Sequence, residues 1–340
     1  MARSMLALRK LAAGRGQLGL VDVDPPGPPA PGQLVVDVVS AGVCGTDLHI
    51  RDGEYPSVPP VTMGHEMGGY VRAVGSGVDP GLVGRRVAAE TFFETCGRCR
   101  WCRDGRPNLC PARRSLGTHV DGGFAPQVTM PAINVHSVPD HVPDSALSLL
   151  EPLACVCNAM SVGSRVFAGD QVLVIGPGAV GNLAAQVARA AGARVVLSGL
   201  ERDRERLELA ARLGLEATTV VDAAGPGGGR FDVVVETSGS AGGWDLAVRA
   251  ARRGGRILQM GLVGRPVPVD VDLICNHELT VSATFASHPA SWLRATELVG
   301  ARSVDLASLI SEVMALRDWE TLFDHIGAGD GLKYVFDPRL

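Results

Sequence analysis

The residues best suited to do chemistry near the start of the chain are Cys44, in the segment CGTDLH, and His65 and Glu66, in the segment GHE. A thiolate, an imidazole and a carboxylate are ligand types that Zn²⁺ accepts. A lone cysteine or histidine is usually an ordinary core residue, so this pair gains weight only from what surrounds it. A Zn²⁺ ion with an open coordination position would act here as a Lewis acid on a water or an alcohol.

Four further cysteines stand close together with the spacing C-x2-C-x2-C-x7-C, at Cys96, Cys99, Cys102 and Cys110. Four thiolates within one short loop can close a tetrahedral site, which is how structural zinc is bound. An iron–sulfur cluster is the main alternative, because ferredoxins use C-x2-C-x2-C-x3-C-P and Pro111 follows Cys110. The last gap is longer than in that motif and no second cysteine run follows, so the loop predicts a structural zinc site.

A glycine-rich segment, G-P-G-A-V-G at 176–181, matches G-x-G-x-x-G through Gly176, Gly178 and Gly181. It follows the apolar run QVLVI and opens an Ala-rich helical stretch, which is the context that dinucleotide binding requires. The three glycines would permit the turn, the approach of a pyrophosphate and close helix–strand packing. Val180 belongs to the same turn, so these four residues are predicted to bind the cofactor at a helix N-terminus.

The choice between NAD and NADP depends on the residues after the next apolar run, ARVVLSG. An acidic side chain is expected about 20 residues after the glycine turn to bind the ribose hydroxyls, and Glu201 stands there. Gly199 could instead face the ribose, in which case Arg202 or Arg206 would accept a 2′-phosphate. The sequence therefore favours NAD, with NADP as the less favoured cofactor.

Two patterns of hydrophobicity indicate the elements that must position these residues. Up to about residue 150, short runs such as QLVVDVVSAGV and GGYVRAVG alternate with Gly and Pro, which is typical of an irregular β domain. From about residue 155, apolar runs alternate with helical stretches of about 10–15 residues, which indicates βαβ units and a parallel sheet. Near residue 285 the alternation ends, and a helical segment around SWLRATELV and a strand around LKYVFDP remain.

Composition limits the partners. The chain has 340 residues, enough for two domains, with a formal net charge of −4 and no basic stripe that would suggest nucleic acid. No leader or membrane-spanning segment is evident, so we expect a cytoplasmic protein whose eight cysteines are reduced. Lysine occurs only at positions 10 and 333, every other basic residue being arginine, which we attribute to coding bias.

Taken together, these motifs resemble those of the zinc-containing medium-chain alcohol dehydrogenases, in particular the branch of sorbitol, polyol and threonine dehydrogenases. The matching segments are GVCGTDLH at 42–49, GHE at 64–66, the cysteine loop, EPLA at 151–154 and the glycine turn, in that order. The resemblance implies a GroES-like β-barrel catalytic domain formed by residues 1–153 and 286–340. It also implies an inserted Rossmann domain, a doubly wound parallel sheet, at 154–285, and a homodimer or homotetramer.

Carried over by position, the resemblance assigns roles in catalysis. Cys44 and His65 would ligate a catalytic zinc, with Glu66 or Glu151 as a nearby carboxylate bound directly or through water. Members that act on simple alcohols usually carry cysteine where this chain has Glu151, so the substrate is expected to be a secondary alcohol such as a polyol, sugar alcohol or cyclitol. Thr46 would contact the reacting oxygen and His49 would relay its proton to solvent.

Three other interpretations remain open at this stage. A metal-free relative such as a quinone reductase would lack the cysteine loop and the Cys44–His65 pair. A non-catalytic nucleotide-binding protein would have no need of Thr46. Within the enzymes, a threonine-dehydrogenase-like activity is an alternative, because SLGTHVDGGFAPQV and LKYVFDP also resemble that branch. We further expect Ile50, among others, to line the substrate pocket and Cys275 to be buried.

Overall fold

A computed structural model describes residues 4–162, 166–219, 221 and 229–340. Contacts between Cα atoms divide the chain into two compact units. Unit 1 comprises residues 1–151, 287–292 and 310–340, and unit 2 comprises residues 152–286 and 293–309. The predicted domain boundaries, 153/154 and 285/286, remain a prediction; the contact division additionally assigns 293–309 to unit 2.

The strands, numbered along the chain, are β1 (Met5–Lys10), β2 (Leu18–Val23), β3 (Gln33–Gly42), β4 (Val61–Thr62), β5 (Glu66–Val74), β6 (Arg86–Ala89), β7 (Phe92–Glu94), β8 (Arg114–Ser115), β9 (Gln127–Pro131), β10 (Val135–Ser137), β11 (Gln171–Ile175), β12 (Arg194–Ser198), β13 (Glu216–Thr218), β14 (Phe231–Glu236), β15 (Ala251–Gln259), β16 (Thr280–Ala283), β17 (Ile310–Met314) and β18 (Lys333–Phe336). The helices are α1 (Gly45–Asp52), α2 (Arg100–Arg103), α3 (Leu150–Val162), α4 (Ala179–Ala190), α5 (Arg204–Arg212), α6 (Ala241–Ala250), α7 (Val271–Asn276), α8 (Pro289–Gly300) and α9 (Trp319–Ala328).

Unit 1 is built mainly from β-strands, as predicted. Its largest sheet runs β10-β6-β5-β3-β18-β17, with β9 also paired to β3. Strand β3 is central and its side chains are buried on both faces, which explains its nearly continuous run of Val and Leu. The C-terminal strand β18 pairs antiparallel with β3 and parallel with β17, so the end of the chain completes this sheet.

Unit 2 contains a six-stranded parallel sheet in the order β13-β12-β11-β14-β15-β16. Numbered within the sheet this is 3-2-1-4-5-6, the order of the doubly wound dinucleotide-binding fold. Helices α4, α5, α6 and α7 form crossovers between its strands. The sequence order reverses between β11 and β14, and ligands of such sheets bind at the carboxyl ends of the strands beside that reversal.

The predicted fold class is confirmed, and the individual elements lie close to their predicted positions. QVLVI is β11, the Ala-rich run is α4, RERLELAARLG contains α5, SWLRATELV lies within α8 and LKYVFDP contains β18. Among the described residues, none of the helices is both long and apolar enough to cross a membrane.

Candidate functional site

Cys44 lies where the central strand β3 gives way to helix α1. The backbone at Cys44 is extended and the helix begins at the next residue. The Cys44 N–H donates to Asp47 Oδ2 over 2.9 Å, and the Asp47 N–H donates to the Cys44 carbonyl over 2.9 Å. This reciprocal pair fixes the start of α1 and holds the thiol in place, with Thr46 Oγ1 3.7 Å from Cys44 Sγ.

His65 and Glu66 lie at the start of β5, the neighbour of β3. Gly64 precedes them with a φ of +90°, and a Cβ there would overlap the ring of Phe124, so only glycine fits. Cys44, His65 and Glu66 each offer one donor atom, and these three atoms lie within 4.8 Å of one another. Strand pairing, with Gly42 opposite Glu66, brings the two sequence motifs together.

The electrostatics of this group favour a cation. His65 Nδ1 lies 3.6 Å from Asp47 Oδ1, and the Asp47 side chain is fully buried. Burial by itself lowers the pKa of the His65 imidazole, but the Asp47 carboxylate and the Cys44 thiol outweigh it and raise the pKa well above its usual range. A carboxylate behind a histidine is the arrangement that orients metal-binding imidazoles, so the donor set fits Zn²⁺.

Glu66 is buried and is paired with a cation that the sequence analysis did not assign. Its Oε2 atom forms an ion pair with Lys333 Nζ, on strand β18. Lys333 Nζ also donates to the Val43 carbonyl over 2.9 Å. Burial lowers the pKa of Lys333, but Glu66 and Cys44 raise it more, so the net shift is upward and the ammonium form is favoured.

The remaining predicted residues of unit 1 lie outside that three-residue group. Glu151 is buried at the first turn of α3, and its carboxylate is absent from the set of donor atoms within 4.8 Å of one another. The His49 side chain is 42% exposed on α1, and its Nδ1 lies 2.7 Å from Glu54 Oε2. Its position between the helix and solvent suits proton exchange.

The four cysteines of the loop converge. The donor atoms of Cys96, Cys99, Cys102 and Cys110 lie within 4.8 Å of one another. Backbone N–H groups of Arg98 and Cys99 point at the Cys96 thiol and lower its pKa to about 6. Four thiols at this separation, one of them readily ionised, fit a tetrahedral structural zinc.

In unit 2 the glycine turn has the geometry that its sequence predicts. Gly176 has a φ of +102°, and a Cβ there would lie 2.9 Å from the Ser238 backbone. A Cβ at Gly181 would overlap the Gly176 carbonyl, so helix α4 packs directly on the turn. Gly178 precedes α4 and has open space around the position of a Cβ. Val180 follows in the first turn of α4, whose free N–H groups can receive a pyrophosphate.

Beyond β12, the residues predicted to face the ribose are already engaged. A Cβ at Gly199 would lie 2.6 Å from Pro177 Cγ, so no side chain fits there. Glu201 is exposed and forms an ion pair with Arg204, and Arg206 Nη1 lies 3.4 Å from Asp203 Oδ1.

Several expectations need correction or addition. Cys275 is exposed rather than buried, because α7 places it on the surface. Ile50 is fully buried in the core of unit 1 and therefore does not line an open pocket. Coding bias does not explain the two lysines, since both are buried and bonded. Asp47 was missed, although its place inside the CGTDLH segment was a usable signal.

Comparison with known proteins agrees with this architecture. Residues 30–140 match the model of the alcohol dehydrogenase GroES-like domain, and residues 179–301 match that of the zinc-binding dehydrogenases. The chain is 34% identical to a sorbitol dehydrogenase from Halalkalibacterium halodurans, over 98% of this chain and 99% of that protein. It is also 34% identical to an L-threonine 3-dehydrogenase from Streptomyces avermitilis, over 98% of this chain and 100% of that protein.

A solved structure gives the same answer. A zinc-binding dehydrogenase from Sinorhizobium meliloti bound to NADP superposes with a TM-score of 0.88 at 33% identity, covering 98% of this chain and 99% of that one. The chain belongs to the zinc-containing medium-chain alcohol dehydrogenase family, with a GroES-like domain and a Rossmann-like domain. It is accordingly a zinc-dependent oxidoreductase of the alcohol dehydrogenase type that uses NAD or NADP.

Proposed function

We propose that the chain interconverts a secondary alcohol and a ketone, with a polyol, sugar alcohol or cyclitol as the substrate and NAD as the preferred cofactor. The observation that carries this proposal is the convergence of Cys44, His65 and Glu66 at the junction of β3, α1 and β5. Glu151, where simple alcohol dehydrogenases usually carry cysteine, supports the polyol class. The sorbitol dehydrogenase that the chain resembles supports it too.

Each residue has a defined task in this proposal. Cys44 and His65 hold the catalytic zinc, with Glu66 or Glu151 as the carboxylate near it, and the zinc when bound supplies a Lewis acid that favours loss of the alcohol proton. Thr46 receives that proton at Oγ1, and His49 passes it to solvent through its exposed imidazole. Asp47 keeps the His65 ring oriented.

The cofactor residues work in unit 2. The helix N-terminus behind Gly178 binds the pyrophosphate, and Gly176 and Gly181 maintain the turn that leads to it. Glu201 binds the ribose hydroxyls after its side chain leaves Arg204, and Arg206 stands near enough to take part.

A substrate screen tests the reaction. Zinc-loaded protein is assayed with polyols, cyclitols and vicinal diols, each with NAD and with NADP, by absorbance of the reduced nicotinamide. We expect turnover of secondary alcohols in polyols, faster with NAD; an absence of turnover with every secondary alcohol would contradict the proposal. L-threonine belongs in the same panel, because the threonine dehydrogenase at 34% identity favours amino-alcohol oxidation as the second candidate.

We further propose a cytoplasmic protein that assembles as a homodimer or homotetramer. All eight cysteines are free thiols, which supports a reducing compartment. Strand β16 ends the order of the parallel sheet, and Val281 on it is 42% exposed. An exposed edge strand with apolar side chains can pair with its copy about a two-fold axis, which supports a dimer.

A further inference from the structure

The two lysines of the chain are its most deeply buried cations of known geometry. Lys10 is 1% exposed and Lys333 is 5% exposed, although arginine serves at every other basic position. Lys10 Nζ is held by backbone carbonyls, including those of Gly16 at 2.6 Å and Arg51 at 3.0 Å. Lys333 differs, because it contacts a carboxylate that belongs to the candidate metal site.

Lys333 reaches that site through a gap that one glycine provides. Its ammonium lies between Glu66 Oε2 and the carbonyl of Val43, the residue just before Cys44. A Cβ at Gly42 would overlap Glu66 Oε2 and would come within 3.1 Å of Lys333 Cε. The glycine in the segment GVCG is therefore required by the ion pair above it, which indicates that the pair is a built feature of the site.

We propose that Lys333 is a positioning residue that restrains Glu66, so that this carboxylate binds a metal at the Cys44–His65 group only weakly. The ammonium and a metal ion compete for the same carboxylate. Unrestrained, the anions of Cys44 and Glu66 would cancel the two charges of Zn²⁺ and reduce its strength as a Lewis acid. Lys333 restores one positive charge beside the ion, at the cost of weaker metal binding. The inference rests on the proposed zinc site, but its test needs no alcohol turnover.

Metal affinity is the measurement that decides the matter. In Lys333→Met, zinc affinity measured by competition with a chelator should rise about tenfold, within the range of effects seen when groups behind metal ligands are changed. The absorption spectrum of the cobalt-substituted protein should shift as Glu66 joins the ion. Lys333→Arg keeps the charge and should keep both the affinity and the spectrum near those of the unmodified protein. In the double variant Lys333→Met, Glu66→Gln the gain should disappear.

Lys10→Met is the matched control, because it removes the other buried lysine of the same unit without touching a metal donor. It should lower thermal stability and leave zinc affinity unchanged. Lys333→Gln provides a polar replacement that can still donate to Val43, and it should show the same gain as Lys333→Met if the latter does not fold. Unchanged or weaker zinc binding in the neutral Lys333 variants would overturn the proposal and leave the lysine a structural role only.

Discussion

Cys44 owes its position to backbone bonds on one side and to a carboxylate on the other. The Asp47 side chain caps the start of α1 through the Cys44 N–H, and its second oxygen faces His65. One buried carboxylate thus positions two donors that come from separate motifs. Its burial is tolerated because the negative charge has these partners and stands beside a site for a cation.

Replacing Cys44 by serine should remove one metal ion without unfolding the protein. Zinc content should fall from about two to about one per chain, because the four cysteines of the loop still hold their ion. Alcohol oxidation should fall at least about a hundredfold. Metal analysis beside circular dichroism measures both effects. Cys155→Ser is the control, since Cys155 lies on α3 and outside both donor groups; a loss of zinc in that variant would contradict the ligand assignment.

Cofactor choice can be tested at Glu201. Because Gly199 leaves no room for a side chain, Glu201 is the predicted carboxylate for the ribose hydroxyls. Glu201→Gln should raise KM for NAD about tenfold, the loss of one hydrogen bond to a charged group, and leave KM for NADP unchanged. Arg206→Ala serves as the counterpart. If Glu201→Gln has no effect while Arg206→Ala weakens NADP, the preference for NAD is wrong.

Elements with strong local patterns could be predicted from the sequence, and contacts between distant segments could not. Strand β11 and helix α4 begin where their hydrophobic periods begin, because local burial determines both. The Cys44 and His65 motifs were recognisable because their residue types suit zinc. Lys333 lies 290 positions from Val43, and only the pairing of β18 with β3 brings them together. Its rarity in the sequence was visible, but its burial was not.

The glycine turn offers a matched pair of substitutions at the level of the element. Gly178→Ala should fold normally, because there is open space for a Cβ and the backbone there is extended. The added methyl should obstruct the pyrophosphate and raise KM for the cofactor about tenfold. Gly181→Ala should instead destabilise the protein by about 1–3 kcal/mol, because its Cβ would collide with the Gly176 carbonyl. Melting temperatures and cofactor titrations separate the two effects.

Equal melting temperatures for the two alanine variants would contradict the packing of α4 on the turn. Unchanged cofactor affinity in Gly178→Ala would contradict the assignment of the helix N-terminus to the pyrophosphate. The two results bear on different statements, since the first concerns the fold and the second concerns the ligand.

At the scale of the whole molecule, the parallel sheet of unit 2 ends in an open strand. Strand β16 pairs with β15 through residues 280–283 and is last in the sheet order. Natural edge strands are usually protected by charge or by a covering element. Here Val281 and, just beyond the strand, Phe285 are instead exposed, which is the character of a surface that another copy covers.

Val281→Lys should therefore weaken the assembly. A charge on each copy of the edge strand would place two ammonium groups near the two-fold axis, where like charges oppose strand pairing. Size-exclusion chromatography with light scattering should show a dimer or tetramer for the unmodified protein and a larger monomer fraction for the variant. Ile133→Lys is the control, because it adds the same charge at an exposed apolar position of unit 1. If the unmodified protein is monomeric, or if both variants retain the full assembly, β16 is not the interface.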